Sequence, residues 1–322
     1  MRIRQHHPSK SLPRSGQRGA AIITAMLVVT LATVVVAGLF WREHVTIRSV
    51  ENRLALAQTN WIERVVLDWA RVALRLDGAA NRVDTLHEYW AERINPTRLD
   101  ETVTGGAQIG DAARSASLMG QVFDAQARLN LNNLLATNAD EKMRKAALAA
   151  FRKLLELNNL PTSLADVLQA YLARTVPLTA SDGKVVAATE LPLLRVTDLR
   201  NLREFDQSIV NTLRDQVVFL PKPTAVNLNT AGPLVIAAMI PEISREDATR
   251  FCNRARREFA TVQTGLDAIK TGIAPLPAGV MSIDTGFFLV SGVVRYDRVE
   301  AQSETLIQRE VTKVSIIWQQ RS

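Results

Sequence analysis

Residues 20–40 form an apolar segment without a single charged side chain. At 1.5 Å per residue, a helix of this length matches a hydrocarbon core about 30 Å thick. A secretory signal peptide is the alternative, but its apolar region is usually only about 7–15 residues long. Here the helical pattern continues through Gly38 and Trp41. The segment therefore predicts one membrane span.

Charged residues are distributed unevenly around this span. Residues 1–19 contain five basic residues and no acidic one, and the first acidic residue is Glu43. Because positively charged flanks stay on the cytoplasmic side, we expect a single-pass membrane protein with a cytoplasmic N-terminus and the bulk of the chain outside the cytoplasm. Without these five residues the formal net charge of +7 falls to +2, so the basic composition is no argument for nucleic-acid binding.

The chain has a short basic N-terminal peptide that ends in Gly19, directly before the apolar segment. This arrangement resembles the class III leader of type IV pilins and type II secretion pseudopilins. The resemblance implies that a prepilin peptidase cleaves between Gly19 and Ala20 and methylates the new amine of Ala20. Most pilins carry Glu at mature position five, where it pairs with the amine of a neighbouring subunit. This chain has Thr24 there, which cannot form that ion pair.

Apolar side chains continue at helical spacing beyond the span. Val50, Leu54 and Trp61 begin a series with steps of three, four or their multiples that ends at Leu76. Neither Gly nor Pro occurs between Leu39 and Asp77. The pattern predicts one continuous helix that faces lipid in its first half and packs through an apolar stripe in its second half. A membrane anchor followed by an independent amphipathic helix is the alternative.

Alternating apolar and polar residues predict strands near both ends of the remaining chain. Residues 121–131 alternate in this way, with Phe123, Ala125 and Leu129 on the face expected to be buried. In the strand expected at 312–318, residues Thr312, Val314, Ile316 and Trp318 share one face. Two further strands are expected at 287–296 and 300–310. Residues 78–120 are rich in Gly, Asn, Asp and Thr, which predicts a loop with a short strand or two.

The residues between these strands favour helices. Ser163 with Asp166, and Ser244 with Asp247, have the spacing of capping boxes. The helices are expected near 139–158, 163–174, 203–215, 231–239 and 244–259. The order of elements predicts an α+β protein, with a small antiparallel sheet packed on the long N-terminal helix and a large all-α insertion.

Three strings in the chain are similar to those of the minor pseudopilin K family of type II secretion systems. They are Asp124–Asn132 (DAQARLNLN), Val226–Ala231 (VNLNTA) and Val196–Arg200 (VTDLR). The missing Glu at Thr24 is also a trait of that family. The resemblance implies a pilin-like fold and a non-enzymatic subunit at the tip of the pseudopilus, which exports folded proteins across the outer membrane.

The same resemblance implies the partners. They are the minor pseudopilins I, J and H, the major pseudopilin, the prepilin peptidase, the inner-membrane assembly platform and membrane lipid. Together with the predicted helices and strands, it gives a domain organisation for a single-pass inner-membrane protein with a periplasmic C-terminal domain: leader peptide 1–19, transmembrane helix 20–40, periplasmic half of the long helix 41–77, first part of the sheet domain 78–136, helical insertion 137–283 with a helix-hairpin-helix-like part at 226–270, and C-terminal strands 284–322.

Members of this family commonly carry an acid-rich loop that supplies oxygen ligands to calcium. In this chain the corresponding residues, 164–171 and 179–184, lack clustered carboxylates. Asp166 and Asp182 are isolated, as caps or turn residues are. We therefore expect no calcium site, and no other metal or cofactor.

Two other functions compete with this interpretation. Residues 226–259 also resemble the helix-hairpin-helix of competence-type DNA receptors, which bind phosphate through backbone amides at a Gly-containing hairpin. Here Glu242 stands where the hairpin requires Gly, and the arginines alternate with acidic residues, so we expect no nucleic-acid partner. A minor pilin of a type IV pilus is the second alternative, but it would more usually keep the Glu and lack so large an insertion.

An enzymatic function has little support in the sequence. Two of the four histidines, His6 and His7, lie in the leader and His44 lies beside the membrane, which leaves His87 for the folded domain. No His-based triad or metal cluster can be assembled from one histidine, so we expect no catalytic residue. The single cysteine, Cys252, excludes an intramolecular disulfide and is expected to be a buried apolar residue rather than a reactive thiol.

Overall fold

The computed structural model describes residues 17–98, 116–135, 141–179, 185–296, 299–311 and 313–321. The predictions for most of the leader, for part of the 78–120 loop, for Asp182 and for Thr312 lie outside the described residues. The chain divides into two compact units, with the boundary between Gln58 and Thr59.

The first helix, α1, spans Gln17–Ala80. The continuous helix predicted from the apolar spacing is therefore confirmed. In the first unit, the large apolar side chains of the span are exposed; Val34, for example, is 69% exposed. This helix has a window of mean hydropathy 2.6, and among the described residues it is the one helix long and apolar enough to cross a membrane.

The second unit contains the last part of α1 and all other elements. Its further helices are α2 (Glu141–Leu157), α3 (Leu164–Ala173), α4 (Gln207–Leu213), α5 (Pro233–Met239), α6 (Arg245–Cys252) and α7 (Val262–Ile269). Its strands are β1 (Ile94–Arg98), β2 (Ala116–Asp124), β3 (Leu129–Asn130), β4 (Leu178–Thr179), β5 (Val185–Val186), β6 (Val217–Val218), β7 (Val226–Asn227), β8 (Met281–Ser282), β9 (Phe287–Tyr296), β10 (Val299–Arg309) and β11 (Val314–Arg321). Short 3₁₀ helices lie at Tyr89–Ala91, Ala125–Ala127, Leu131–Leu134 and Val196–Asn201.

Five strands form one antiparallel sheet in the order β1-β2-β9-β10-β11. Its two central pairs are long, because β9 pairs with β2 from Tyr296 to Phe288 and with β10 from Tyr296 to Phe287. Two short parallel pairs, β3 with β6 and β7 with β8, lie outside this sheet. The sheet and the long helix give the expected α+β class.

The last part of α1 packs on one face of the sheet. Leu67, Ala70 and Leu74 of the helix share a buried cluster with side chains of β2, β9, β10 and β11. Polar contacts flank this cluster. The Nε and Nη2 atoms of Arg71 donate to the Val314 carbonyl at 3.2 and 3.1 Å, and the Glu63 carboxylate pairs with Arg321 at 2.6 Å. The predicted packing stripe is therefore wrong: Trp61 and Leu76 are 68% and 66% exposed, and the helix is amphipathic along a different row of residues, which contains Leu67 and Leu74.

The helices α2 to α7 have a core of their own, which we call the helical region. Phe151, Leu154 and Leu168 are among its fully buried side chains. A smaller cluster with Phe287, Leu289 and Leu306 joins the helical region to the sheet face opposite α1. The sheet thus carries α1 on one face and the helical region on part of the other.

The strand predicted at 121–131 is wrong at both ends. Strand β2 begins earlier, at Ala116, and ends at Asp124, because the Asp124 side chain accepts a hydrogen bond from the Gln126 amide and turns the chain into a 3₁₀ helix. Ala125 and Leu129 are buried as predicted, but the face predicted for Phe123 is wrong. Val122 is buried against α1, whereas Phe123 is 38% exposed on the other side of the sheet.

The three C-terminal strands are confirmed, but their faces need a correction. A bulge separates Ile316, which pairs with Ile307, from Trp318, which pairs with Leu306. Because a bulge adds one residue to one strand, the side chains beyond it change face. Val314 therefore packs in the cluster under α1, and Trp318 packs in the cluster on the opposite face.

Most predicted helices exist, with shifted ends. The helix expected at 244–259 is α6 and ends at Cys252, and α7 follows where none was expected. Ser244 forms the predicted capping box with Asp247. Ser163 does not cap α3, because it already has helical backbone angles and its side chain makes no capping bond.

Candidate functional site

Two of the strings that resemble the family come together in space. The turn after β2 holds the first string, and the segment around β7 holds the second. Their polar side chains form a buried network, which we call the junction: Asp124, Gln126, Asn130, Asn132, Asn133, Thr224, Asn227, Asn229 and Thr230. All but Asn132 are less than 10% exposed, although none is apolar. Because buried polar groups require partners, the junction fixes these side chains in one arrangement.

Asp124 is the centre of the junction. Its Oδ2 accepts hydrogen bonds from Asn227 Nδ2 at 2.9 Å and from the Thr230 hydroxyl at 2.6 Å, and its Oδ1 accepts from the Gln126 amide at 2.7 Å. Burial raises the pKa of Asp124 to about 6, although the hydrogen bonds lower it. The ionised carboxylate is therefore stabilised by three hydrogen-bond donors and destabilised by its burial away from water.

The asparagines of the first string hold the segment that leads to the second. Asn130 Nδ2 donates to the Lys222 carbonyl at 2.9 Å, and Asn132 Nδ2 donates to the Leu220 carbonyl at 2.8 Å. Asn133 Nδ2 donates to the Thr224 carbonyl, and Asn133 Oδ1 accepts a hydrogen bond from the Thr224 amide. Asn227 Nδ2 also donates to the Asp84 carbonyl at 3.1 Å. These bonds attach residues 220–230 to the turn after β2 and to the residues after α1.

Sequence reasoning identified the two strings but not their chemistry. Asp124, Asn130 and Asn227 each accept a hydrogen bond from the backbone amide two residues later. This is the Asx turn, for which an Asp or Asn before a break in periodicity is a recognisable signal. The signal was present at each of these three residues.

A second polar cluster lies at the C-terminal end of α1, and the sequence did not predict it. Arg309 pairs with Asp77 at 2.6 Å and with Asp84 at 2.5 Å, and it donates to the Thr285 carbonyl at 2.9 Å. Its guanidinium also lies 4.8 Å from the centre of the Phe288 ring. Arg309 thus ties the end of α1 to the ends of two strands.

The acidic residues of this cluster lie as close to one another as the ligands of a metal ion do. Oxygen atoms of Asp77, Asp84 and Glu88 lie within 4.8 Å of one another. However, Arg309 binds the two aspartates, and Glu88 accepts a hydrogen bond from Trp90 Nε1 at 2.7 Å. Burial, followed by the charge of Glu88, raises the pKa of Asp77 to about 6, and burial raises that of Asp84. The arrangement is that of a buried ion-pair cluster.

The predicted leader site lies at the start of α1. Gly19 and Ala20 are both within the helix, and the Thr24 hydroxyl donates to the carbonyls of Ala20 and Ala21, each at 3.0 Å. The hydrogen-bonding capacity of Thr24 is therefore used within its own helix.

The acidic residues near the expected calcium loop do not converge. Asp166 pairs with Arg152 at 2.5 Å, Glu190 lies 3.7 Å from Arg174, and Asp198 pairs with Arg195 at 3.2 Å. Calcium requires six to eight oxygen ligands around one point. The described part of this region does not supply such a set.

The helices α5 and α6 and the turn between them have the outline of a helix-hairpin-helix. Glu242 is exposed in the turn, and the first turn of α6 contains Glu246 and Asp247. These carboxylates lie where such a motif would receive phosphate. Cys252, at the end of α6, is half-buried, and burial raises the pKa of its thiol. A raised pKa disfavours the reactive thiolate.

Comparison with known proteins agrees with the family resemblance and with the fold. A family model described as type II secretion system (T2SS), protein K, matches residues 127–222. Type II secretion system protein K of Pseudomonas aeruginosa is 32% identical to this chain over 94% of the chain and 92% of the relative. Type II secretion system protein K of Pectobacterium carotovorum is 22% identical over 95% of the chain and 97% of the relative.

A solved structure has the same fold. The crystal structure of the GspK-GspI-GspJ complex from the enterotoxigenic Escherichia coli type 2 secretion system contains a chain that matches with a TM-score of 0.66 and 17% identity. The match covers 85% of this chain and 99% of that chain. The level of identity to the Pseudomonas protein, over nearly the full length of both chains, shows the family: this chain belongs to the type II secretion system protein K family.

Proposed function

We propose that this chain is a non-enzymatic minor pseudopilin at the tip of the type II secretion pseudopilus, where it supports the export of folded proteins across the outer membrane. One observation carries the proposal. A single helix has an exposed apolar span in residues 20–40, and its last part packs on a sheet that also carries a helical region. The helical region makes this subunit bulky, as we expect of a subunit at the end of the pseudopilus.

The membrane orientation follows from charge. The basic residues before Ala20 favour a cytoplasmic N-terminus, and the second unit would then lie in the periplasm. The chain would then cross the inner membrane once, through the apolar part of α1.

Processing at the leader is the first testable part of the proposal. We expect the prepilin peptidase to cleave between Gly19 and Ala20 and to methylate the Ala20 amine. Mass spectrometry of the protein extracted from membranes should then find a mature chain that begins with N-methylated Ala20. A mature chain that begins at another residue would contradict the assignment to the pilin class.

Thr24 supports a position at the end of the fibre. A carboxylate at this depth of the bilayer is tolerated when it is paired, and Thr24 has no carboxylate that needs an amine from a preceding subunit. Its hydroxyl is satisfied by Ala20 and Ala21. The Ala20 amine remains available to a Glu of the subunit below.

The position can be tested by labelling the protein on assembled pseudopili. We expect the label at one end of the fibre for the natural chain and for Thr24→Val, which removes the hydroxyl and adds no charge. Thr24→Glu restores the pilin carboxylate, so we expect label along the fibre as well. Label along the fibre in the natural chain would contradict a tip position.

The partners follow from the relatives. The solved structure with the same fold is that of a complex of GspK with GspI and GspJ. We propose that this chain assembles with its own minor pseudopilins I and J, joined by H, and that the major pseudopilin and the inner-membrane assembly platform complete the contacts. Co-purification of the full chain with I and J from membranes tests this. Co-purification with type IV pilus subunits instead would favour a minor pilin.

We propose further that the protein functions without calcium or another cofactor. Arg152, Arg174 and Arg195 pair with the acidic residues nearest to the expected loop. Equilibrium dialysis of the full chain with radioactive calcium should show no saturable binding. Binding at micromolar calcium would overturn this proposal and leave the tip position untouched.

A further inference from the structure

The sheet face opposite α1 is covered only in part, and a cleft remains between it and the helical region. The cleft has a volume of about 170 Å³. This is smaller than the roughly 300–1,000 Å³ of sites for drug-sized ligands. One wall consists of β9, β10 and β11, and the other consists of residues 194–197 and the segment around β6. A ligand of this cleft would be small.

The charges around the cleft are unbalanced. Three arginines, Arg128, Arg195 and Arg214, line it together with one carboxylate, Glu304. Arg195 is held by Asp198 at 3.2 Å and by Gln320 at 2.6 Å. Arg214 is exposed to solvent. The lining residues carry more positive than negative charge, which favours an anion, although Asp198 and Asp215 offset the charges of Arg195 and Arg128 in part.

Arg128 is the most buried of the three cleft arginines. Its side chain is only 14% exposed, and its Nη1 donates to the Arg214 carbonyl at 3.1 Å. Its one ion pair among the described residues is to Asp215 at 3.5 Å, and Asp215 is 85% exposed, so the pair stabilises the charge little. Burial lowers the pKa of Arg128. The Nε atom has no hydrogen-bond acceptor in the described part of the chain, and Nη2, on the same edge of the guanidinium, has only the long contact with Asp215, which leaves this edge without a close partner.

Glu304 lines the same cleft but forms no ion pair with Arg128. It is half-buried, and within the described residues it makes neither an ion pair nor a hydrogen bond. A cation and an anion that share a cleft without direct contact leave room for a ligand that binds both. The Trp318 ring adds an apolar wall.

We propose that this cleft binds a small carboxylate that has an N–H group beside it, as in an amino acid or at the C-terminus of a polypeptide. The two carboxylate oxygens accept hydrogen bonds from Nε and Nη2 of Arg128, the bidentate geometry for which the planar guanidinium is suited. Glu304 accepts the hydrogen bond of the adjacent N–H. No part of the proposed role at the pseudopilus tip depends on this site.

The test uses the full chain in detergent micelles, labelled with 5-fluorotryptophan. Trp318→Phe identifies the fluorine signal of Trp318, which lies in the cleft wall. We expect N-acetyl-alanine to shift this signal saturably and N-acetyl-alanine amide, which lacks the carboxylate, to leave it unchanged. Equal shifts with the acid and the amide, or no shift with either, would overturn the proposal.

Variants separate the roles of the two charged residues. Arg128→Gln should weaken binding of N-acetyl-alanine about tenfold or more, the effect of losing one charge-assisted pair. Arg203→Gln removes the same charge at an exposed position outside the cleft and should bind as the natural chain does. Glu304→Gln should remove the preference for N-acetyl-alanine over acetate. Unchanged binding in Arg128→Gln would contradict the assignment, and the acid-amide comparison does not depend on how that variant folds.

Two further probes distinguish the sources of the ligand. Tighter binding of free alanine than of N-acetyl-alanine would identify a free amino acid. Tighter binding of N-acetyl-trialanine would identify the C-terminus of a polypeptide. Both results support a carboxylate site, because each requires the open edge of Arg128.

Discussion

The sheet contacts α1 and the helical region through different kinds of side chains. The last part of α1 covers its face with apolar side chains such as Leu67 and Leu74, and the polar contacts lie at the margin. The helical region meets the sheet through a small apolar cluster and the junction, in which Asp124 and Asn227 are buried. An apolar contact accepts many side chains of similar volume, whereas a buried polar network requires each partner. Two of the three strings that resemble the family lie at the junction, where the network requires each polar partner.

The largest expected effect is at the centre of the junction. Asp124→Ala leaves the donors of Gln126, Asn227 and Thr230 buried without an acceptor. Unfolding of the full chain in urea, in detergent micelles, should show a loss of about 4 kcal/mol, since each such donor costs roughly 1–3 kcal/mol. Asp166→Ala, at an exposed ion pair, should cost less than about 1 kcal/mol. A smaller loss for Asp124→Ala than for Asp166→Ala would mean that the junction adds nothing to stability.

The apolar contact provides the second test. Leu74→Ala removes a fully buried side chain under the sheet and should cost about 3 kcal/mol in the same experiment. Leu76, two residues later on the same helix, is 66% exposed. Leu76→Ala should therefore change the free energy of unfolding by no more than about 0.5 kcal/mol. Equal losses for the two variants would show that α1 does not pack on the sheet through this face.

The pH dependence of the free energy of unfolding is the third test of the difference between the apolar contact and the junction. The pKa of Asp124 is about 6 in the folded chain and near 3.8 in the unfolded chain. Between these values the folded state holds a proton that the unfolded state has released, so the free energy of unfolding decreases as the pH rises from about 4 to about 6. The decrease should be on the order of 2–3 kcal/mol. Asp77 acts in the same direction.

Urea titrations at several pH values measure this slope. Asp124→Asn cannot ionise, so it should have a flatter dependence than the natural chain. Asp166→Asn, which changes an exposed carboxylate, should keep the natural slope. The same slope in all three proteins would exclude Asp124 as its source.

Long periodic segments made most of the fold predictable from the sequence. The apolar spacing predicted α1, and alternation predicted β9 at the residues where it occurs. The failures arose where one side chain or one inserted residue decides the backbone. Asp124 ends β2 through a single hydrogen bond, and the bulge before Trp318 reverses the faces of β11. Periodicity does not contain this information.

The polar clusters were less predictable than the fold. Arg309 lies 232 residues after Asp77 and 225 after Asp84 in the chain, so no local pattern relates them. The two family strings were recognisable, but resemblance alone did not tell that Asp124 binds Asn227 and Thr230. Such pairings depend on how the sheet and the helical region meet, which a single sequence does not display.

The smallest expected effect concerns two serines with the same predicted role. The Ser244 side chain accepts a hydrogen bond from the Asp247 amide, and the Asp247 side chain accepts one from the Ser244 amide. Ser244→Ala should cost about 1 kcal/mol, the usual value of an N-cap. Ser163 has the same sequence spacing to Asp166 but makes no capping bond, so Ser163→Ala should be close to neutral. Urea unfolding of both variants measures the difference. A loss at Ser163 equal to that at Ser244 would mean that the capping box predicted from the sequence forms at both sites.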